Sequence, residues 1–521
     1  MTEIEFWRTG TFIWFTILVI FPLTLIMYLY IKDRNQKEHS ILRNFPILGK
    51  IRYIFEKIGP EMRQYWFNDD QNGTPFSRLD YLNVIFSAKY KHRKIGFGSK
   101  RDFTPDRIYL KNDLFPRLYE ELCVEQAPKV QTRIYEIEDD GLFTRKEHTK
   151  PVHADPFYLS PENVITIGQN TARHPFTLKG LIGQSGMSYG SLGERAITAL
   201  SIGLGRAGGT WMNTGEGGLS DYHLAGQTDI IMQIGPAMFG VRTPEGKLDW
   251  EELEKKAQIP QVKAIELKLA QGAKTRGGHL EGEKVTPDIA RMRKIEPWKT
   301  VNSPNRFPFI KNSKDLVSFI DQIRSHTGLP VGIKIVVGHA EQIEELASQM
   351  KESNIYPDFI TIDGGEGGTG ATYQELADSV GLPILQALPI VDRVLKQYGL
   401  RDQIKIFASG KLITPDLIAT TLALGADCVN IARGFMFSVG CIQAQVCHNN
   451  TCPVGVATTD QSLQHALDIE EKSYRVTNYV LSLREGLYNL AAAAGIDSPT
   501  KFSHQHITSI KSSHSESLTH A

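Results

Sequence analysis

Three of the five cysteines in this 521-residue chain fall within residues 440–459 (GCIQAQVCHNNTCPVGVATT), at Cys441, Cys447 and Cys452. Thiols gathered so closely, with Pro453 turning the chain away after the last, form the pattern by which a folded loop ligates an iron–sulfur cluster. Three ligands suit a 3Fe-4S cluster. Two other readings stay open on spacing alone: buried thiols serving as small hydrophobes, and a zinc site, which needs a fourth ligand such as His448. A second concentration of chemistry lies upstream. Residues 271 to about 303 carry Lys274, Arg276, His279, Arg291 and Arg293, cations that hold carboxylates by fork or point charge. Lys334 is a single charge in the apolar run VGIKIVV, and a lysine directed into a core needs a partner there. Residues 363–370, DGGEGGTG, place five glycines in a row of eight, which lets a bound group press against main chain.

The elements that must position these residues follow from periodicity. Short apolar runs begin at Gly180, Gly209, Asp229, Ala264, Val331, Phe359, Ile404 and Cys428. Helical patterns lie between most of them, for example over 250–257, 313–324, 340–351 and 415–424, and strand–helix alternation of this kind predicts a parallel sheet. Eight such units favour a closed (β/α)8 barrel of the TIM type over an open sheet, with the active site on loops after the strands and a phosphate site after strands seven and eight. Ser409 and Gly410 follow the seventh run and lead to Thr414-Pro415, a helix start suited to an anion. Gly434 follows the eighth.

Residues 11–31 are 21 consecutive residues without a charge, enough to cross the roughly 30 Å hydrocarbon core as a helix. Lys32, Arg34 and Lys37 follow it, which places the bulk of the chain in the cytoplasm by the positive-inside bias. The acidic start and the absence of a cleavage site argue against a signal peptide. The expected organisation is therefore a transmembrane anchor (1–34), an accessory region of unassigned chemistry (35–163), the barrel with its cysteine loop (164–495) and a disordered tail (496–521). A hydrophobic content of 41% with 22% charged residues is ordinary globular usage, and the formal net charge is zero, so nucleic acid is not an expected partner.

The motifs in sum resemble the synthase domain of glutamate synthases: SGMSYGS (185–191), NTGEGG (213–218), QGAK (271–274), DGGEGGTGA (363–371) and the cysteine segment with PVGVAT occur in matching order. The short bacterial branch behind a membrane segment is the nearest resemblance. It implies FMN and a 3Fe-4S cluster as cofactors. The flavin would be held by Ser185, Gly186, Met187, Ser188, Gln233, Lys334, Asp363, Gly364, Gly365, Ser409, Gly410 and Gly434, and the cluster by Cys441, Cys447 and Cys452. Gln271, Lys274 and Arg293 carry over as substrate-binding residues, with Glu216 and Lys274 as catalytic ones. The implied reaction is reduction of the imine of 2-oxoglutarate and ammonia to glutamate, electrons arriving from a ferredoxin or a reductase subunit. No amidotransferase with a nucleophilic cysteine and no dinucleotide-binding GxGxxG is expected in the chain. After Lys274 the segment TRGGHLEGEK is about one residue shorter than the family pattern, which bears on His279 and on the choice of substrate. Alternatives are methylamine as the amine, giving N-methylglutamate, or a non-catalytic electron-carrying membrane subunit.

Overall fold

The computed structural model describes residues 3–104, 107–275 and 277–509. It divides the chain into two compact units, 1–80 and 81–521.

In the first unit, helical backbone runs through Glu3–Phe15, a π-helical turn Thr16–Ile20 and Phe21–Asn35. The stretch Gly10–Asn35 is long and apolar enough to cross a membrane. Pro22 lies just past the π turn, where a local widening absorbs the hydrogen bond that proline cannot make. Asp33 at the end of this helix is buried and accepts from the Ile47 amide at 2.9 Å and from Lys50. That carboxylate thereby fixes the start of the next long helix, Gly49–Met62.

The second unit contains a closed barrel whose strands, labelled in chain order within the barrel, are β1 Ile182–Gln184, β2 Trp211–Asn213, β3 Asp229–Ile234, β4 Val262–Lys268, β5 Val331–Ile335, β6 Phe359–Asp363, β7 Lys405–Ser409 and β8 Cys428–Ile431. All neighbours pair in parallel, and β8 returns to β1. Every apolar run expected to be a strand is one. Barrel helices used below are α1 Glu194–Ala207, α2 Trp250–Ala257, α3 Pro287–Arg293, α4 Ser313–Thr327, α5 Ala340–Ser353, α6 Ile384–Gln397, α7 Pro415–Ala423, α8 Arg433–Ser438 and α9 Ile469–Ala493. Four helical expectations match α2, α4, α5 and α7.

Beneath the strands, Trp211, Phe359, Phe407 and Cys428 form one buried cluster with Ile167, Phe176 and Leu178. The last three come from an antiparallel pair, Ile165–Ile167 with Phe176–Leu178, which closes the N-terminal end of the barrel. Trp211 is fully buried and donates from Nε1 to Asn430 Oδ1 at 2.8 Å. It lies so close over β1 that a Cβ on Gly183 would come within 2.2 Å of its ring.

Residues 81–163, the larger part of the expected accessory region (35–163), fall in the same compact unit as the barrel. They include a long antiparallel hairpin, Val130–Asp140 with Arg145–Ala154. Asn478 of α9 fastens it, donating to the carbonyls of Ala88 and Arg133 while accepting from Thr132 Oγ1. Helix α9 also lies against α1, where Thr477 Oγ1 donates to the Gly203 carbonyl at 2.9 Å. The chain after 495, expected to be disordered, stays structured through Ile507–Ser509, because that strand pairs with Ile108–Leu110 and satisfies its backbone groups there. The remainder of that expected tail, 510–521, lies outside the described residues.

Trp211→Ala removes the largest side chain of the barrel floor and leaves Asn430 unpaired. The expected loss is about 3–5 kcal/mol of stability, read as an earlier unfolding transition of the barrel in chemical denaturation.

Candidate active site

The C-terminal rim of the barrel is built on charge. Glu266, on β4, is fully buried and an isolated carboxylate there would be prohibitively costly. It is satisfied from three other strands: Asn213 of β2 donates at 2.7 Å, Gln233 of β3 at 2.5 Å and Thr361 of β6 at 2.5 Å. Gln233 is thus committed to Glu266 through its amide nitrogen. A Cβ on Gly186 would stand about 3.0 Å from Asn213 Oδ1 and 3.1 Å from the Gln233 amide, so the loop after β1 rests on this network.

Lys334 of β5 does point into the barrel. It is buried, 3.2 Å from Asp363 Oδ2 and 3.5 Å from Ser185 Oγ. Burial alone would lower its pKa, but the Asp363 and Glu266 carboxylates outweigh that and raise it. Asp363 also accepts from the Gly272 amide at 3.0 Å, while Gln271 donates to the Gly368 carbonyl at 3.0 Å. The QGAK turn is therefore docked on the glycine loop after β6. A Cβ on Gly272 would lie 2.1 Å from the Gly364 carbonyl oxygen, so this approach requires glycine. The Gly364 and Gly365 amides in turn bond to the carbonyls of Ser409 and Leu382.

Glu216 is the meeting point of the cations. Lys268 Nζ, at the end of β4, lies 2.8 Å from its Oε1 and Lys274 Nζ 3.8 Å from the same oxygen. Burial would raise the pKa of Glu216, but Lys268, Lys274 and Arg293 together hold it down at about 2. Lys274 is lowered to about 8, by burial first and by Lys268 second. Arg293, at the end of α3, is buried; it donates to the Tyr189 carbonyl at 3.0 Å, and its Nε has no protein partner. The same burial brings it to about 10, with Glu216 opposing.

Around this centre, Ser188 Oγ bonds Ser191 Oγ at 2.9 Å, and the Met187 carbonyl lies 3.2 Å from His223 Nε2. Burial lowers His223 to about 4, so the ring is neutral and that nitrogen donates. At the expected phosphate site, Gly410 has φ +148° and the buried Thr414 Oγ1 at the start of α7 has no hydrogen-bond partner. Gly434 lies in α8 under Tyr479, whose hydroxyl would be 2.4 Å from an added Cβ; its lack of a side chain is already demanded by packing against α9.

The cysteine loop carries one short 3-10 turn, Cys447–Asn449. Cys452 is buried and the other two thiols are half-buried. Cys441 is pushed up to about 12 by burial, with Cys447 and Cys452 adding to the shift, and Cys447 is raised by burial and by Cys452. Among the described residues no three His, Cys, Asp or Glu side chains are disposed around a single metal ion.

Lys284, which no motif singles out, joins this loop to the insertion after β4. It is buried and its ammonium donates to the carbonyls of Cys447 (2.8 Å), Ala457 (3.1 Å) and Ser191 (3.4 Å). Lys268 and Glu266 also escape a reading by motif. They occupy alternate positions of one buried strand, AIELKLA, and two charges on the same inward face carry the same signal that Lys334 gives. Arg433, a further residue outside the motifs, donates to the Glu366 carbonyl at 2.7 Å. Of the other loop cations, His279 bonds Asn302 and Glu281 on the strand pair His279–Leu280 with Val301–Asn302, Arg291 pairs with Asp288 at the surface, and Arg276 lies outside the described residues.

A closed parallel barrel with a polar, charged rim at the strand C-termini is the plan of an α/β-barrel enzyme. The conserved region in glutamate synthase matches residues 119–497. The chain belongs to the glutamate synthase family, and with it to the oxidoreductases. It is 60% identical over 490 residues to the glutamate synthase large subunit-like protein YerD of Bacillus subtilis, covering 94% of this chain and 93% of that one. It is 35% identical over 315 residues to the archaeal glutamate synthase (NADPH) of Methanocaldococcus jannaschii, covering 60% of this chain; the match spans 58% of that relative's length. Among solved structures, a flavocytochrome b2 variant with pyruvate bound aligns at a TM-score of 0.42 and 12% identity over 88% of this chain and 85% of that one.

Glu216→Gln removes the one carboxylate that Lys268 and Lys274 share. Uncompensated buried charge costs about 3–5 kcal/mol, so this variant unfolds at lower denaturant, and the added change Lys268→Met recovers part of that stability.

Proposed function

We propose that the protein is a membrane-anchored flavoprotein with an iron–sulfur cluster that reduces the imine of 2-oxoglutarate and ammonia to glutamate, with electrons from an external donor. One observation carries the reading. Lys268, Lys274 and Arg293 surround the carboxylate Glu216, three cations to one anion in that cluster. A dicarboxylate dianion balances that excess.

The residues fit the cofactors that the family implies. The unpartnered Thr414 hydroxyl at the start of α7, behind Ser409 and Gly410, suits a phosphate, and buried Lys334 suits an FMN ring edge that gains negative charge. Three thiols from one loop, each of whose charges acts on the others, are the donor set by which Cys441, Cys447 and Cys452 would hold an iron–sulfur cluster. When bound, FMN supplies hydride chemistry and the cluster one-electron transfer.

The chain's own groups then divide the remaining work. Glu216, ionised at any physiological pH, holds the two lysines in place; it has no proton to give. Lys274, near 8, holds a proton that it can release at working pH, which makes it the rim's proton donor. Arg293 presents its unpartnered Nε to a substrate carboxylate. The helix ending at Asn35 crosses the membrane, and Lys32, Arg34 and Lys37 put the barrel on the cytoplasmic side.

The deciding experiment mixes anaerobically reduced protein with 2-oxoglutarate and ammonium and follows the flavin absorbance. Reoxidation that needs both reagents is expected; none, in protein with intact flavin, would refute the assignment, and a strong preference for methylamine over ammonium would move it to N-methylglutamate. Lys274→Met deletes one charge-assisted hydrogen bond to the substrate and raises the KM for the oxo acid about 10–100-fold. In the native protein, Lys274 is charged below about pH 8 and neutral above it, so affinity for the dianion weakens as pH rises through that region, and the methionine variant lacks this inflection. Cys447→Ser protein is expected to lose iron by metal analysis while keeping flavin.

A further inference from the structure

The helix after the candidate span has an unusual surface. Leu48, Ile51, Phe55 and Ile58 recur at helical spacing, Ile54 widens the same stripe, and all five are exposed. The stripe continues into the turn Arg63–Phe67, where Trp66 is 78% exposed and Phe67 70%. A soluble protein does not leave such a contiguous apolar face in water. Its borders are cationic: Lys50 and Lys57 fall along one edge, Arg52 and Arg63 along the other. Residues 32–67 hold eight Lys or Arg against four Asp or Glu.

What covers this face follows from its attachment. The helix cannot drift away from the end of the span, because Asp33 in the span's last turns takes the Ile47 amide at 2.9 Å and the Lys50 ammonium. His39, in the connection, packs on Tyr53 of the helix with ring centroids 5.2 Å apart. The helix therefore starts where the span leaves the hydrocarbon. An amphipathic helix held at that level, apolar on one face and edged with cations, has the anionic headgroup layer of the same bilayer as its partner, with apolar side chains reaching roughly 5–10 Å into the acyl boundary.

We propose that residues 48–67 form an interfacial helix lying on the anionic cytoplasmic face of the membrane, so that the protein is attached by a span and by a second, in-plane element. This rests on the membrane-spanning reading above. The test uses full-length protein reconstituted in vesicles of phosphatidylglycerol and phosphatidylcholine, with a benzophenone amino acid placed singly at Leu25, Phe55 or Glu56, and adducts identified by mass spectrometry. Lipid adducts at positions 25 and 55 and none at 56 are expected. In vesicles of phosphatidylcholine alone, or with Arg52, Lys57 and Arg63 changed to Glu, the yield at 55 falls several-fold while that at 25 holds. Adducts at 25 without any at 55, or a protein cross-link at 55 in place of lipid, would overturn the interfacial helix and leave the span intact. Adducts at 55 without any at 25 would keep the helix on the membrane and overturn the span.

Discussion

A carboxylate with no access to water, Glu266, is the constraint on which the catalytic end of the barrel depends. Its burial is tolerable only because side chains from β2, β3 and β6 converge on it, and that convergence fixes the relative rotation of four strands. Everything above it inherits this alignment. Lys334 is drawn into the same field and pairs with Asp363; Asp363 seats Gly272; the seated turn brings Lys274 to Glu216. The rim is a chain of charges in which each member is tolerable only while the next is in place, which is how a fold holds several ionised groups out of water.

The barrel is legible in the sequence because each of its strands is buried on both faces and so reads as a short apolar run with a helical stretch after it. The same property hides part of the site. Within AIELKLA, Glu266 and Lys268 are absorbed into a strand that otherwise looks ordinary, although their spacing of two puts both on the inner face. Lys334 stands out since its neighbours are wholly apolar. Lys284 has no such contrast: EGEKVTP reads as a solvated loop, and its burial is created by the cysteine segment more than a hundred residues later. The strand Ile507–Ser509 is equally illegible, being short, polar and stabilised by pairing with a partner at residues 108–110.

At Gly434 packing gives a reason for glycine that the motif does not contain. Its place after β8 suggests room for a phosphate, yet the Tyr479 hydroxyl, which donates to the Ile413 carbonyl at 2.8 Å, already forbids any side chain there. Helix α9 is thus part of the site's geometry: it sets the position of α8 from behind, fastens the Val130–Ala154 hairpin through Asn478 and lies along α1.

The three carbonyls gripped by Lys284 belong to the loop after β1 and to two points of the cysteine segment, while Lys284 itself sits in the insertion that carries Lys274 and Arg293. Mechanically these pieces are riveted into one plate, with Arg293 on the Tyr189 carbonyl as a second fastening. Lifting the insertion away from the rim must either break these bonds or carry the cysteine segment along, so the insertion and the thiols are mechanically coupled.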